Sequence, residues 1–430
     1  GGFGTKNFVY REYPLALAAA RAFGRPVFWQ SDRSEHFLAD AHGRDNIATA
    51  RLGLDRDNRF VGLHVDLVCN MGAYLSEFGP AVPAFGVPMT PGLYAIPAVH
   101  VRYRAVVTNT TPVDAYRGAG RPEAAYLIER LVDKAAREIG VAPDALRAQN
   151  YVQQHQFPYS NGVGRNYDCG EYEAHMRLAM QRAGWDGFAA RAAESASRGC
   201  LRGQGLATYV EACAAGNERG RMELTAGGRV VLYIGTQANG QGHRTAYAQI
   251  AAGELGMAIE DIEVVQGDTS RVKTGGGTGG SKSVALGAVI VNQASRRLAD
   301  EIRKRAADKL ETATADIELT GGAARVVGTD RAIGFADIAA AAAVAGEVVE
   351  ASGAFKVGEY TYPNGTHIAE VEIDPETGAT SLRSYVAIDD FGVSINPMLL
   401  AGQVHGGIAQ GLGQALLEHT VIDGSTGQLL

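Results

Sequence analysis

The chain has 430 residues, is 46% hydrophobic and 20% charged, and carries a formal net charge of −7. That length predicts roughly two to three folded units with well-buried cores, and the acidic balance excludes the basic face of a nucleic-acid binder. No stretch approaches the ~20 uninterrupted apolar residues of a membrane span, so small molecules and other subunits are the expected partners.

The chain opens on a glycine-rich loop, Gly1-Gly2-Phe3-Gly4-Thr5-Lys6. A helix follows over 13–23, where apolar residues recur at helical spacing until Gly24 and Pro26 stop it. Segments 49–54 and 60–68 read as a hairpin turning at Asp57-Asn58. Pro and Gly predict a loop over 79–97, with Phe85 and Tyr94 set to line a pocket. A strand over 99–107 runs into Thr110-Thr111-Pro112-Val113-Asp114-Ala115-Tyr116-Arg117-Gly118-Ala119-Gly120-Arg121. This stretch enters a helix over 122–139 with Pro122 at its first position. Bare amides at a helix N-terminus beside two guanidinium groups read as an anion site. A tight strand-to-helix turn with solvated arginines accounts for the same residues.

Segment 141–170 reads as a connector with a short helix, and 172–183 as a surface helix closed by Gly184. A second unit is expected from about Gly203, with a strand over 206–211 and a hairpin from 222–225 to 230–234 across Gly227-Gly228. A helix over 246–255 ending at Gly256, a strand over 262–265 and a long helix over 283–311 follow. The alanine-rich stretch 312–354 gives no pattern. Strands over 368–373 and 380–388 hinge at Asp374-Pro375-Glu376-Thr377-Gly378, and a last helix over 407–417 follows a loop holding Gly402-Gln403. The expected fold class is α+β, mixed sheets with flanking helices in two halves. The expected boundaries are 1–165, a helical connector 166–202, and 203–430.

Glycine is the compositional outlier: 55 residues against a usual ~7%, bunched into loops before helices. Besides the two stretches above, the loops are Thr236-Gln237-Ala238-Asn239-Gly240-Gln241-Gly242-His243, 274–283, and Gly402-Gln403-Val404-His405-Gly406-Gly407. Their side chains are amides and hydroxyls rather than carboxylates, which suits a large anionic ligand held by neutral hydrogen bonds. The 274–283 loop looks like a phosphate-binding P-loop, but Ser281 separates Gly280 from Lys282 and displaces the lysine by one residue. A nucleotide-phosphate binder built on that loop is one alternative reading. Cys69, Cys169, Cys200 and Cys213 show no Cys-x-x-Cys spacing. They fit neither a metal cluster nor a disulfide scaffold, and a reducing cytoplasm is the expected home. With no initiator Met and no signal peptide, the chain reads as cut from something longer.

Taken together, the loops resemble the molybdenum-binding large subunit of the xanthine oxidase family, the molybdenum hydroxylases, in its carbon monoxide dehydrogenase-like and aldehyde oxidase-like bacterial branch. The resemblance rests on 1–6, 115–121, 240–243, 261–268, 278–283 and 402–413, in the family's order and approximate spacing, and spans essentially the whole chain. It implies two molybdopterin-binding domains and a molybdenum ion held by the dithiolene of a pterin dinucleotide, in the cytosine form, with no protein metal ligand. Gly2, Phe3 and Gly4, with Arg117 and its neighbour Gly118, would approach the metal and pterin edge. Asn239, Gly240 and Gln241 would bond the pterin. Thr278, Gly280, Ser281 and Ser283 would receive the pyrophosphate, and Gln403 the pterin or phosphate region. Helix capping is the plainer role for Thr278 and Ser283.

The family's general base is a glutamate in a Gly-x-Gly-Glu segment expected beyond Leu430, so no catalytic residue is assigned here. Lys356-Val357-Gly358-Glu359 looks similar but falls at the wrong place in the order, and Glu359 reads as an ordinary strand or loop residue. Purine-oxidising relatives carry a glutamate where this chain has Asn7, and an arginine on the segment matching 79–94, which has none. Carbon monoxide dehydrogenases carry a copper-binding cysteine at the position of Gly118. The implied activity is hydroxylation of an aldehyde or N-heteroaromatic compound, with electrons leaving through a [2Fe–2S] small subunit and an FAD-binding medium subunit. The other reading, a catalytically silent cofactor-binding or assembly module of the same fold, is separated by whether the natural gene continues into the glutamate segment.

Overall fold

The computed structural model describes residues 2–214 and 216–430; Gly1, which opens the first glycine loop, lies outside the described residues. In chain order the elements are α1 (Glu12–Phe23), α2 (Arg33–Ala39), β1 (Asn46–Leu54), β2 (Phe60–Asn70), α3 (Ala81–Gly86), β3 (Val99–Val106), α4 (Arg121–Ile139) and α5 (Pro143–Asn150). Next come β4 (Tyr159–Ser160), β5 (Asn166–Tyr167), α6 (Tyr172–Ala183), α7 (Phe188–Ser197), β6 (Leu201–Val210), β7 (Asn217–Leu224), β8 (Val230–Ile234), α8 (His243–Leu255), β9 (Ile262–Val265) and α9 (Lys282–Leu310). The chain continues with β10 (Ile317–Thr320), β11 (Ala323–Val326), β12 (Ala332–Gly334), α10 (Phe335–Val344), β13 (Glu350–Lys356), β14 (Asn364–Ile373), β15 (Thr380–Asp390) and α11 (Pro397–Leu416). The fold is α+β. Its larger unit holds Gly2–Ala212, Thr361–Gly392 and Ile408–Leu430; the smaller holds Cys213–Tyr360 and Val393–Gly407.

In the larger unit β1 and β2 form the expected hairpin, with Asn58 in the left-handed conformation at its turn, and β3 adds parallel to β2. A second sheet, in the order β15-β14-β6, is antiparallel throughout. The helical periodicity of α4 is used as its spacing predicted: Ala124, Ile128, Val132 and Ala136 are buried. Segment 79–97 departs from the loop expectation. It contains α3, and Tyr94 is fully buried, stacked on Tyr151 with centroids 5.5 Å apart and donating to Glu129 Oε1 at 2.6 Å. Prolines at 80 and 83 masked a short helix, and Tyr94 belongs to the core rather than to a pocket wall.

His175 on α6 is buried against β14, with Nδ1 2.7 Å from the Thr366 hydroxyl and Nε2 without a hydrogen-bond partner. Burial holds its pKa down to about 4 from the usual 6.5. The unfolded chain therefore takes up a proton that the fold refuses. Stability present above pH 6.5 is lost as pH falls toward 4, by on the order of 3 kcal/mol. His175→Gln is expected to flatten that part of a urea-midpoint-against-pH profile; parallel profiles for the two proteins would refute the assignment.

The smaller unit is built on the sheet β13-β7-β8-β9, antiparallel except for the parallel pair β8–β9. Helix α9 lies on it, burying Ile290, Val291, Ala294, Leu298 and Ile302 with Met222, Leu232 and Ile234. The approach is close because Gly220 and Gly353 face each other across β7 and β13: a Cβ on Gly353 would stand 2.5 Å from Ile290 O. The stretch 312–354, which gave no pattern, forms β10, β11, β12, α10 and β13. Alanine is apolar and small wherever it falls, so a run of it shows no periodic contrast to mark helix or strand.

Candidate functional site

The Thr110–Arg121 stretch in the larger unit is held from every side by the chain itself. Asp114, 1% exposed, accepts from Phe78 N at 3.0 Å, and Asn70 gathers Asp45, Thr108, Thr110 and Gly72 N. Gly4 (φ +125°) has its missing Cβ 1.9 Å from Ala115 O, and Gly120 (φ +92°) has its own 2.2 Å from Val82 O. The close approach that demands glycine at 4 and 120 is thus to the chain's own backbone. Gly118 (φ +95°) has no room for a Cβ either, since that atom would stand 2.4 Å from Pro122 Cγ.

Part of this turn's donor set is taken up by the chain itself. Glu123 accepts from the N-cap amide of α4, Gly120 N, at 3.0 Å, and both guanidinium groups have partners inside the unit. Arg117 Nη1 donates to Gln410 Oε1 at 2.7 Å and the group lies 5.5 Å from the Phe3 ring centroid. Arg121 donates to Gly118 O at 3.1 Å and to Ala212 O at 3.4 Å, and stands 3.2 Å from Glu211 Oε1. Desolvation pushes the Glu211 carboxyl up to about 7, against the pull of Arg121. Arg44, unmarked by any spacing in the sequence, donates to Arg117 O at 2.5 Å and to Tyr116 O at 3.4 Å, and lies over the Tyr116 ring. It also lines a polar cavity of about 690 Å³ with His36, His42, Tyr116, Gln414 and Glu418.

In the smaller unit the structure brings the 236–243 and 274–283 loops together. They cross at Gly235 and Gly275, where a Cβ on Gly235 would lie 2.2 Å from Gly275 Cα. Beyond the crossing Thr278 zips them: its hydroxyl accepts from Gln237 N at 3.1 Å, donates to Gln237 O at 2.7 Å and lies 2.7 Å from Ser283 Oγ. Thr278 thus bonds the neighbouring loop, and α9 begins at a left-handed Ser281 with no side-chain cap. The N-cap of α8, Gly242, is likewise without a side-chain cap. Gln241 folds back on its own loop, its Oε1 accepting from Asn239 N at 2.5 Å. His243 is buried with Nδ1 lacking a hydrogen-bond partner, and so is Glu218 Oε2. Two uncapped helix N-termini with hydroxyls beside them are the donor set of a phosphate-bearing ligand. The residues present fit such a group.

Gln403 and Gly402 lie inside α11, whose start at Pro397 is ten residues earlier than the glycines suggested. The missed signal is Asn396-Pro397: Asn396 Oδ1 accepts from Leu399 N at 2.9 Å, an N-cap followed by proline at the first helical position. The 402–407 glycine stretch is therefore a helix. Glu359 is exposed in a bend after β13, as its place in the sequence implied.

Two matches to the family description "Molybdopterin cofactor-binding domain" cover residues 1–151 and 178–430. The chain belongs to the molybdopterin cofactor-binding family. The relatives it resembles are named as large chains and subunits of dehydrogenases and hydroxylases. It is 35% identical to the carbon monoxide dehydrogenase large chain of Hydrogenophaga pseudoflava, matching 100% of this chain and 56% of that one. It is 32% identical to the 6-hydroxypseudooxynicotine dehydrogenase complex subunit gamma of Paenarthrobacter nicotinovorans, over 97% of this chain and 54% of that one. Among solved structures, quinoline 2-oxidoreductase from Pseudomonas putida 86 matches with a TM-score of 0.90 at 32% identity, over 100% of this chain and 57% of that chain. The chain spans about half the length of the curated relatives it matches.

Proposed function

We propose that this chain is the cofactor-holding part of a large subunit that hydroxylates an aldehyde or N-heteroaromatic compound, taking oxygen from water. The sequence division 1–165, 166–202 and 203–430 belongs to the same proposal, supported by family matches over 1–151 and 178–430. Bound molybdopterin cytosine dinucleotide would supply the two-electron redox chemistry. Gly2, Phe3, Gly4, Arg117 and Gly118 would face its metal end. Asn239, Gly240, Gln241 and Gln403 would orient the pterin through amides. The uncapped turns at Gly280, Ser281 and Ser283 would bind pyrophosphate, with Thr278 keeping their loop in register. Partner subunits carrying [2Fe–2S] and FAD would take the electrons. Four free cysteines, and the lack among the described residues of a helix long and apolar enough to cross a membrane, support a cytoplasmic protein.

One observation carries the choice of substrate class against carbon monoxide, despite the named relative. Copper(I) at this loop needs a thiolate, and residue 118 is a glycine whose left-handed backbone and Pro122 neighbour leave a cysteine side chain no place. The protein purified from its host is expected to contain molybdenum, to release a cytosine nucleotide on acid treatment, and to lack stoichiometric copper. Stoichiometric copper together with carbon monoxide oxidation would overturn the substrate reading; absence of molybdenum and pterin would overturn the cofactor reading.

A further inference from the structure

Three successive carbonyl oxygens of the Arg117 loop are each taken by a guanidinium group. Arg44 Nη1 and Nη2 reach Tyr116 O and Arg117 O, and Arg121 Nη1 reaches Gly118 O. Arg44 precedes β1 and sits in the left-handed conformation at φ 56°, while a Cβ on the adjacent Gly43 would already press Tyr116 Cβ at 2.7 Å. Such a backbone persists only where its surroundings hold it. Arg121 in turn stands against Glu211 at the end of β6, a strand end pinned by Glu211 N donating to Pro363 O at 2.9 Å. The other charge facing Glu211 is Arg165, and Glu123 is occupied at Gly120 N.

We propose that Arg44 is a positioning residue that fixes which way the Tyr116–Arg117 and Arg117–Gly118 peptides face, and that Arg121, with Glu211 behind it, does the same for the Gly118–Ala119 peptide that follows. This rests on reading the loop as cofactor-facing. All three peptides are trans, so each N–H points opposite its carbonyl. Drawing the oxygens toward Arg44 turns the Arg117 and Gly118 amides away from it. A cationic donor on a carbonyl also polarises that peptide and strengthens its N–H as a donor. A forked guanidinium presents two planar, pre-organised donors to neighbouring carbonyls, where an ammonium is a compact, rotatable point charge. Glu211 acts only through Arg121, by keeping that side chain aimed at Gly118 O.

The test uses Arg44→Lys, Arg121→Lys and Glu211→Gln in the protein purified with its own cofactor and subunits, with the surface change Arg102→Lys as control. Hydrogen exchange in the peptide covering 115–121 reports the clamp directly, because Ala119 N bonds Tyr116 O at 2.7 Å and Arg121 N bonds Gly118 O at 3.3 Å. Exchange there is expected to rise about tenfold in the three variants and not in the control. Molybdenum content is expected to stay within twofold of the parent. The g-values of the molybdenum(V) signal should shift, and kcat should fall about tenfold with KM little changed. Unchanged exchange overturns the clamp whatever the cofactor content. Faster exchange with an unchanged molybdenum(V) signal and kcat overturns its positioning role. Absence of molybdenum from the parent protein overturns the cofactor reading, and with it the positioning role, while exchange still decides the clamp.

Discussion

Replacing Arg147 with methionine is expected to destabilise the protein by about 3–5 kcal/mol. The side chain is fully buried and makes four hydrogen bonds and two ion-pair contacts. Nε donates to Glu129 Oε2 at 2.9 Å, Nη1 to Pro143 O and toward Asp133 Oδ1 at 2.8 Å, and Nη2 to Glu129 O and Leu206 O. Burial works against the charge of Arg147, but Glu129 and the neighbouring Asp133 outweigh it and hold its pKa well up. Glu129 also accepts from Tyr94 and from both the amide and hydroxyl of Thr208. One carboxylate therefore ties α4, α5, β6 and the segment after α3 together. Removing Arg147 strands that carboxylate in the core, and the cost comes more from the charge left behind than from the hydrogen bonds that go with the guanidinium. Arg147→Met combined with Glu129→Gln should recover much of the loss, since glutamine can still accept from Thr208 N. Urea unfolding of the single and double variants reads both numbers. A single variant within about 1 kcal/mol of the parent, or a double variant worse than the single, would sink the account.

Arg147 and Glu129 also show where reading the sequence stops short. Glu129 sits one residue from the apolar stripe of α4, and nothing local distinguishes it from a solvated helix acid. Helix ends were plain because they are local: Gly24, Gly184 and Gly256 each take the left-handed conformation at a C-cap. The strand at 262–265 and the hairpin at Asn58 were plain for the same reason. The start of α11 was hidden because glycines within a helix look like loop, while its local start signal, Asn396-Pro397, is a single dipeptide. The glycine loops could be found, but not what their glycines are for. Gly4 makes room for Ala115 O and Gly235 for Gly275, contacts made between segments far apart in the chain. The same holds for Arg44, which meets Arg117 O across 73 residues. Residue type narrowed the chemistry of the site, and long-range contact decides which residues hold it in shape.

The crossing of the two loops gives the second large effect, in Gly235→Ala. Its new Cβ would stand 2.2 Å from Gly275 Cα, 2.8 Å from Thr274 O and 2.8 Å from Glu218 Oε1. The two nearest backbone atoms cannot rotate away as a side chain would, so the loops must part. The bonds from Thr278 to Gln237 N and O lie just beyond the contact and would be lost with it. Overpacking of this kind costs typically 1–3 kcal/mol, and loss of both loop bonds puts the expected value at roughly 3 kcal/mol, the upper end. The counterpart is Gly253→Ala in the last turn of α8, where nothing lies within 4 Å of the new atom. There the gain in helix propensity should stabilise the protein by roughly 0.5–1 kcal/mol. Thermal or urea unfolding separates the two, and molybdenum content of the purified variants adds a functional reading. Gly235→Ala is expected to lose the metal and Gly253→Ala to keep it. If Gly235→Ala folded with parental stability and full molybdenum, the crossing would be shown to be slack, and the loops' shape would have to be set elsewhere.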